Sequence, residues 1–372
     1  SKMFKISPDE TLKAVQELYE KKLVTYPRTD ARVLSTAVAK EIYKNINGLM
    51  RYEPMAGFAK EAMNLGSFKG IAKTRYVNDK QITDHYAIIP TGQGMGNLRG
   101  LSPLSEKVYQ VVCRRFLSIF YPAAIYQKYS LVLERKKEQF FASFKVLSEP
   151  GYLKVADVNL AKKSSIQETF SDEKEGNSAQ TDEKNAEIPK VDRTLLLQVL
   201  ADLKKNAILT IADLKVKEGE TSPPKRYTSG SMILAMENAG QLIEDEDLRS
   251  QIKGSGIGTS ATRAEILKKL FNIKYLSLNK KTQVITPTLQ GEMIYDVVNC
   301  SIRQLLNPEL TASWEKGLTY VAEGSITSDE YMEKLERFVA MRTVNVTRLN
   351  NQYDMRGLFD AAAAFYKTKK EN

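Results

Sequence analysis

The sequence predicts a multi-domain α+β protein, with two mainly helical regions joined by a stretch of antiparallel strand. Apolar residues recur at three- and four-residue spacing through the first third of the 372-residue chain, the period of helices packed on one face. From Tyr126 the pattern switches to alternation, the period of a half-buried strand. Helical spacing returns after Pro223 and Pro224. A chain of this length has room for about two or three domains with cores of their own. Its 42% hydrophobic and 27% charged residues are the composition of a folded globular protein. No apolar run approaches the roughly 18 residues that span a bilayer, so no membrane partner is expected.

Leu12, Val15, Leu18 and Tyr19 fall on one face, which predicts an amphipathic helix from about Pro8 to Lys21. Pro27 lacks an amide hydrogen and biases Tyr26 towards extended geometry, so the Tyr26 phenol is expected on a loop beyond that helix. A second helix is expected from Leu34 to Ile46, begun by Ser35. A third is expected from Ser105, as N-cap, to Tyr121, stopped by Pro122. Between these two, Pro90 to Asn97 carries three glycines at alternate positions. Asn97 stands where Gly-x-Gly-x-x-Gly needs its last glycine, and the loop reads as a mobile connector.

Tyr129 to Glu134 and Gln139 to Val146 read as strands of a hairpin turning at Lys136 to Glu138, with Gly151 to Val155 as a third strand. Residues 162–190 contain almost no apolar side chain and cannot bury enough surface to order themselves, so an exposed acidic insertion is expected there. Strand signals resume at Leu195 to Leu200 and at Ala207 to Val216. Thr228 or Ser229 is placed to cap a helix with Ile233, Leu234 and Met236 on its apolar face. Glu244 to Asp247 contains an Asp-x-Asp, but the position reads as the solvated start of a helix, where negative charge suits the dipole, and not as a metal site.

Gly254 to Arg263 leads into a helix from Ala264 to Phe271. The glycines, free amides and hydroxyls there suit a phosphate, and a plain capping loop is the alternative. Leu276 to Thr288 reads as a short hairpin of winged-helix pattern. Trp314, the only tryptophan, reads as a core anchor, and the last 25 residues as helical or frayed. The expected division is 1–121 helical, 122–228 β-rich with the insertion, 229–348 helical and 349–372 tail.

Net charge is +10, although residues 164–190 carry seven acidic and only three basic side chains. The rest of the chain is therefore more basic than the total, which suits a polyanion. Cys113 and Cys300 stand far apart with no metal-ligand pattern around them, as free thiols of a reducing compartment do. The opening Ser-Lys-Met has no charged-then-apolar leader, so the expectation is a cytoplasmic chain cut from a longer protein.

The chemistry centres on Leu18-Tyr-Glu-Lys-Lys-Leu-Val-Thr-Tyr-Pro-Arg-Thr-Asp30. A tyrosine hydroxyl has a reference pKa of about 10, and its best-suited target is a phosphodiester, whose leaving group is an alkoxide oxygen. Arg28, two residues on, supplies a permanent planar cation that matches phosphate oxygens. The alternative is a loop tyrosine packed under a helix, with Arg28 paired to Asp30. The chain's one histidine, His85, lies in Thr83-Asp-His-Tyr-Ala-Ile-Ile-Pro-Thr91; a lone histidine is as readily structural.

Together these two stretches resemble the active-site tyrosine and histidine motifs of type IA DNA topoisomerases. Gly256-Ile-Gly-Thr-Ser-Ala-Thr-Arg-Ala-Glu-Ile266 resembles a third element of that family, in its topoisomerase III form. Ser260 departs from the proline or glutamate of many relatives. The resemblance covers roughly residues 8–345 and implies a partial torus, two winged-helix-like helical domains joined by a β arch. It implies DNA strand passage through a 5′-phosphotyrosine link, with religation and no ATP. Tyr26 is then the nucleophile, Arg28 holds the scissile phosphate and His85 hydrogen-bonds near it. Gln16, Glu20 and Thr25 line the strand groove, and Thr259, Thr262 and Arg263 contact DNA.

The resemblance also implies Mg²⁺, bound by an acidic Toprim domain that nothing before Tyr26 resembles, so this chain alone is expected to bind single-stranded DNA without relaxing it. A RecQ-like helicase partner and a bacterial, nucleoid-associated location follow by the same analogy. Two rival tyrosine chemistries fail on residues. A relaxase needs a His-x-His cluster, and a tyrosine recombinase carries its tyrosine near the C-terminus after spaced arginines. A winged-helix DNA-binding module without catalysis is the remaining alternative.

Overall fold

A computed structural model of the chain describes residues 3–82, 84–156, 203, 207–211, 213, 216, 218–243, 246, 249, 256–259 and 262–367. The insertion at 162–190, the strand expected at Leu195 to Leu200, and Asp245, Asp247 and Ser260 lie outside the described residues.

In chain order the helices are α1 (Pro8–Glu20), α2 (Thr36–Leu49), α3 (Glu53–Leu65) and α4 (Pro103–Ser118). A two-stranded ribbon follows, β1 (Ile125–Arg135) and β2 (Glu138–Glu149), and then a single helical turn, α5 (Leu153–Ala156). The later elements are α6 (Ser229–Glu237), α7 (Arg263–Asn272), a short hairpin β3 (Leu276–Leu278) and β4 (Ile285–Pro287), α8 (Leu289–Ser301), α9 (Pro308–Ala322), α10 (Ser328–Thr347) and α11 (Gln352–Lys367). The fold is thus mixed, helical with small antiparallel sheets.

The chain forms two compact units, one of residues 1–60, 68–113 and 224–372, the other of 61–67 and 114–223. In the first, Ala14, Val15 and Leu18 of α1 are buried with Leu23, Val24, Ile42, Ile46 and Leu49. α1 begins at a capping box, in which the Ser7 hydroxyl accepts from the Glu10 amide and the Glu10 carboxylate accepts from the Ser7 amide. Its end differs from the sequence expectation in cause. Lys22 adopts a left-handed φ of 61°, and the amides of Lys22 and Leu23 donate to the carbonyls of Tyr19 and Leu18. That is a Schellman closure, five residues before Pro27, and it turns the chain out of the helix before proline has any say.

Ser35 caps α2 through the Val38 amide, as read from sequence. α4 starts at Pro103, and Ser102 accepts from the Ser105 amide, so Ser105 lies inside the first turn and is not its N-cap. The Glu17 carboxylate accepts hydrogen bonds from the hydroxyls of Ser102 and Ser105 and from the Ser102 amide at that helix start. It thereby fastens α1 to α4.

The Pro90 to Asn97 loop is tied down and is no free connector. Asn45 Nδ2 donates to the Pro90 carbonyl, and Asn97 Nδ2 to that of Lys21. Gly48 and Gly92 meet backbone to backbone, and Gly92 has φ +72°, a conformation that a side chain would strain.

The hairpin β3–β4 is antiparallel, and the Thr228 capping box starts α6. Trp314 of α9 makes edge-to-face contacts with Tyr331 and Phe338 of α10, so it joins two helices as an anchor. Residues 352–367 are helical.

In the second unit β1 and β2 pair in register from Tyr126 opposite Leu147 to Arg135 opposite Glu138. They turn at Lys136 and Lys137, both at positive φ. Gly151 to Val155 is not a strand. Gly151 takes φ +45° against Ala123, and the amides of Leu153 and Val155 bond back to the carbonyls of Pro150 and Tyr152, which winds the segment into a turn that buries Val155. The described residues between Ala207 and Val216 form no strand either, and Ile208 is 99% exposed.

Candidate active site

Beyond the Schellman turn lie Leu23, Val24 and Thr25, and the stretch carrying His85 pairs antiparallel with them. Val24 bridges Pro90, the Thr25 amide donates to the Ile89 carbonyl and the Thr91 amide to that of Leu23. The Thr25 hydroxyl stitches the same seam, accepting from the Ile89 amide at 2.9 Å and donating to the Ala87 carbonyl at 3.2 Å. Thr29 Oγ1 donates to the His85 carbonyl at 2.9 Å.

This pairing carries His85 to Tyr26, with ring centroids 4.3 Å apart and planes at 38°. Tyr19, at the end of α1, meets Tyr26 edge to face at 5.5 Å. These rings open on a cleft of about 540 Å³ whose lining includes Glu20, Lys22, Thr25, Tyr86 and Gln93.

Of the residues singled out from sequence, the cleft brings together Tyr26, His85, Thr25 and Glu20. Gln16 sits one turn back on α1 and donates to the Glu20 carboxylate. Arg28 is exposed, and Asp30 is engaged with Arg263 Nη1 at 3.4 Å, so the alternative pairing of Arg28 with Asp30 is absent among the described residues. The Arg28 side chain, two residues beyond Tyr26, is open to solvent.

Thr259 and Thr262 are exposed, their hydroxyls 3.1 Å apart, and the Thr259 amide donates to Thr262 Oγ1. No side chain caps the start of α7. Arg263 differs from these two threonines. It is 3% exposed, and its Nε donates to the Ile257 carbonyl.

Tyr19, Lys22, Tyr86 and Gln93 were not singled out from sequence as site residues. Two of them stand inside the quoted Leu18 to Asp30 stretch and one beside His85, and only their shared cleft distinguishes them. Among the described residues no group of three or more His, Cys, Asp or Glu side chains could hold a metal ion. None of the described helices is long and apolar enough to cross a membrane.

Tyr26 and His85 thus face one cleft, and Arg28, two residues beyond Tyr26, is exposed but does not line it. Residues 1–333 match the DNA topoisomerase family model, and the chain belongs to that family. It is a type IA, topoisomerase III-like member. It is 31% identical over 355 residues to DNA topoisomerase 3 of Bacillus licheniformis and 32% identical over 357 residues to that of Bacillus subtilis, covering 94% of this chain and 44% of each relative. With DNA topoisomerase 3 of a Bacillus cereus strain it is 29% identical over 345 residues, covering 91% of this chain and 42% of the relative. The chain thus spans less than half the length of these curated relatives.

Proposed function

We propose that this chain is the tyrosine-bearing part of an enzyme that changes DNA topology by cutting and resealing one strand without ATP. The observation that carries this is the Tyr26 and His85 ring pair, 4.3 Å apart in a cleft. The Tyr26 hydroxyl attacks the phosphorus of a single-stranded phosphodiester. The Oη–P bond forms, the bond from phosphorus to the 3′ oxygen breaks, the phenol proton leaves and the 3′ oxygen takes one up. The strand's 5′ phosphate stays on Tyr26, and the reverse step reseals it.

Arg28 stabilises the charge that gathers on the phosphate oxygens, and His85 orients the phosphate beside the phenol. Gln16, Glu20 and Thr25 shape the strand's path, and the exposed hydroxyls of Thr259 and Thr262 meet the backbone. The β1–β2 ribbon belongs to an arch between two winged-helix-like domains. Among the described residues no group of three or more His, Cys, Asp or Glu could hold a metal ion; the proposal assigns Mg²⁺ to an acidic domain outside this chain, and no step above runs through it. A helicase partner and a cytoplasmic, nucleoid-associated location complete the proposal.

The test is covalent trapping of the whole protein on oligonucleotides labelled at either end, with sequencing of the modified peptide. The expected adduct holds a 5′ phosphate on Tyr26, and Tyr26→Phe keeps folding and binding but forms none. An adduct on another residue, or one holding a 3′ phosphate, overturns the proposal. Binding with no adduct at all would leave a DNA-binding module.

A further inference from the structure

The Pro27 to Asp30 loop follows Tyr26 and carries Arg28. Behind it lies a cleft of about 340 Å³ whose walls include Pro27, Val15, Ile233 and Leu234. Of its four residues only Pro27 is buried, and polar ties hold Thr29 and Asp30. One of them spans 56 residues, Thr29 Oγ1 to the His85 carbonyl. The other reaches across 233 residues: Arg263 Nη1 to Asp30 Oδ1, 3.4 Å. The Arg263 side chain is only 4% exposed, whereas that of Asp30 is 50% exposed. Its Nε is bonded to the carbonyl of Ile257, in the glycine turn that leads to Thr259. One buried guanidinium thus grips the tyrosine loop and the threonine loop together.

We infer that Arg263 is a positioning residue and not a DNA contact: acting through Asp30, it fixes the Tyr26 and Arg28 loop relative to Thr259 and Thr262, so that one DNA strand meets both. A buried cation paired to a carboxylate cannot also neutralise a phosphate in solvent, while Arg28, exposed and unpartnered among the described residues, can. Asp30 makes the distinction sharp. If the carboxylate acted only through its charge, Asp30→Asn would remove repulsion and tighten DNA. If it holds the loop, the same change weakens DNA. This inference rests on the proposed function for its DNA-binding consequences, and its effect on the loop is independent of them.

The experiment uses the 372-residue chain and the variants Arg263→Gln, Arg263→Lys, Asp30→Asn and the double Arg263→Gln/Asp30→Asn. Amide hydrogen exchange of the peptide covering Val24 to Arg32 reads the loop, with the β1–β2 ribbon as internal control. Anisotropy of a labelled single-stranded oligonucleotide across a salt series reads binding. Exchange in the loop should rise about two- to fivefold in each single variant and no further in the double, with Arg263→Lys in between. DNA affinity should fall by a similar factor at unchanged salt dependence, whereas Arg28→Gln should lower the salt slope by about one.

Unchanged loop exchange, additive losses, tighter binding by Asp30→Asn, or a slope reduced by about one in Arg263→Gln each overturns the inference. If Arg263→Gln does not fold, Asp30→Asn breaks the same tie from its half-exposed side and decides alone. A wild-type chain that binds no single-stranded DNA would refute the proposed function, while altered loop exchange in the variants would still uphold the tie.

Discussion

Thr25→Val is the sharpest test of how the tyrosine and histidine stretches are held in register. Valine keeps the β-branched shape, but the hydroxyl that bonds to both Ile89 and Ala87 is gone. Ile89 is 5% exposed, so its amide loses its partner without ready access to water. An unpaired buried donor costs about 1–3 kcal/mol, and the weaker Ala87 bond contributes towards the lower end of that range. The net loss should be about 2 kcal/mol, or roughly 4–8 °C in the melting of a unit of this size. Differential scanning calorimetry of the wild type, Thr25→Val and Thr25→Ser measures it, and serine should restore most of the loss by keeping the oxygen. Because the seam carries His85 to Tyr26, Thr25→Val should also weaken single-stranded DNA binding. A valine variant as stable as wild type would refute the assignment of the hydroxyl to the seam, and would return Thr25 to the role of a free groove contact.

The anchor of α1 on α4 should be acid-sensitive. The Ser105 hydroxyl, helped by the Ser102 amide and hydroxyl, holds the Glu17 carboxyl below its ordinary value of 4.5. A carboxyl depressed in the folded state stabilises it fully above its unfolded value, and the contribution is lost as pH falls through the lower folded value. Stability should therefore drop below about pH 4.5, with a shallower drop in Glu17→Gln as followed by urea unfolding; identical acid limbs would contradict this. Gly48→Ala should cost at least about 2 kcal/mol, because a Cβ there runs into the Gly92 carbonyl, and urea unfolding reads that as well. DNA binding by the chain should weaken steeply between about 50 and 200 mM salt through counterion release; equal affinity at both would count against a basic phosphate groove.

Much of the local structure is written locally. Ser7 and Glu10, Ser35, and Thr228 each place a cap within three residues of its partner, so these helix starts are legible without tertiary context. The β1–β2 hairpin follows from alternation around Lys136 and Lys137. At three features longer-range contacts override the local signals. Gly151 to Val155 has strand-like alternation, yet Gly151 packs on Ala123 and the segment winds up. Ser105 looks like a cap, but Ser102 takes that role while the Ser105 hydroxyl serves Glu17. The glycine-rich Pro90 to Asn97 loop looks loose, and its bonds from Asn45 and Asn97 depend on residues brought in from afar.

By itself the sequence determined the chemistry on offer: one tyrosine beside a proline and an arginine, one histidine in a second matching motif, a basic chain, and family membership through short ordered motifs. Those are properties of residue type and spacing along the backbone. The tertiary structure decided which of these groups face one another. Only the pairing of Leu23 to Thr25 with Ile89 to Thr91 puts His85 over Tyr26, and only burial separates Arg28, displayed to solvent, from Arg263, taken up by Asp30. Two arginines with identical chemistry thus stand in different environments, because water and a carboxylate partner are assigned by contacts spanning up to 233 residues, a separation at which no periodicity in the sequence carries a signal.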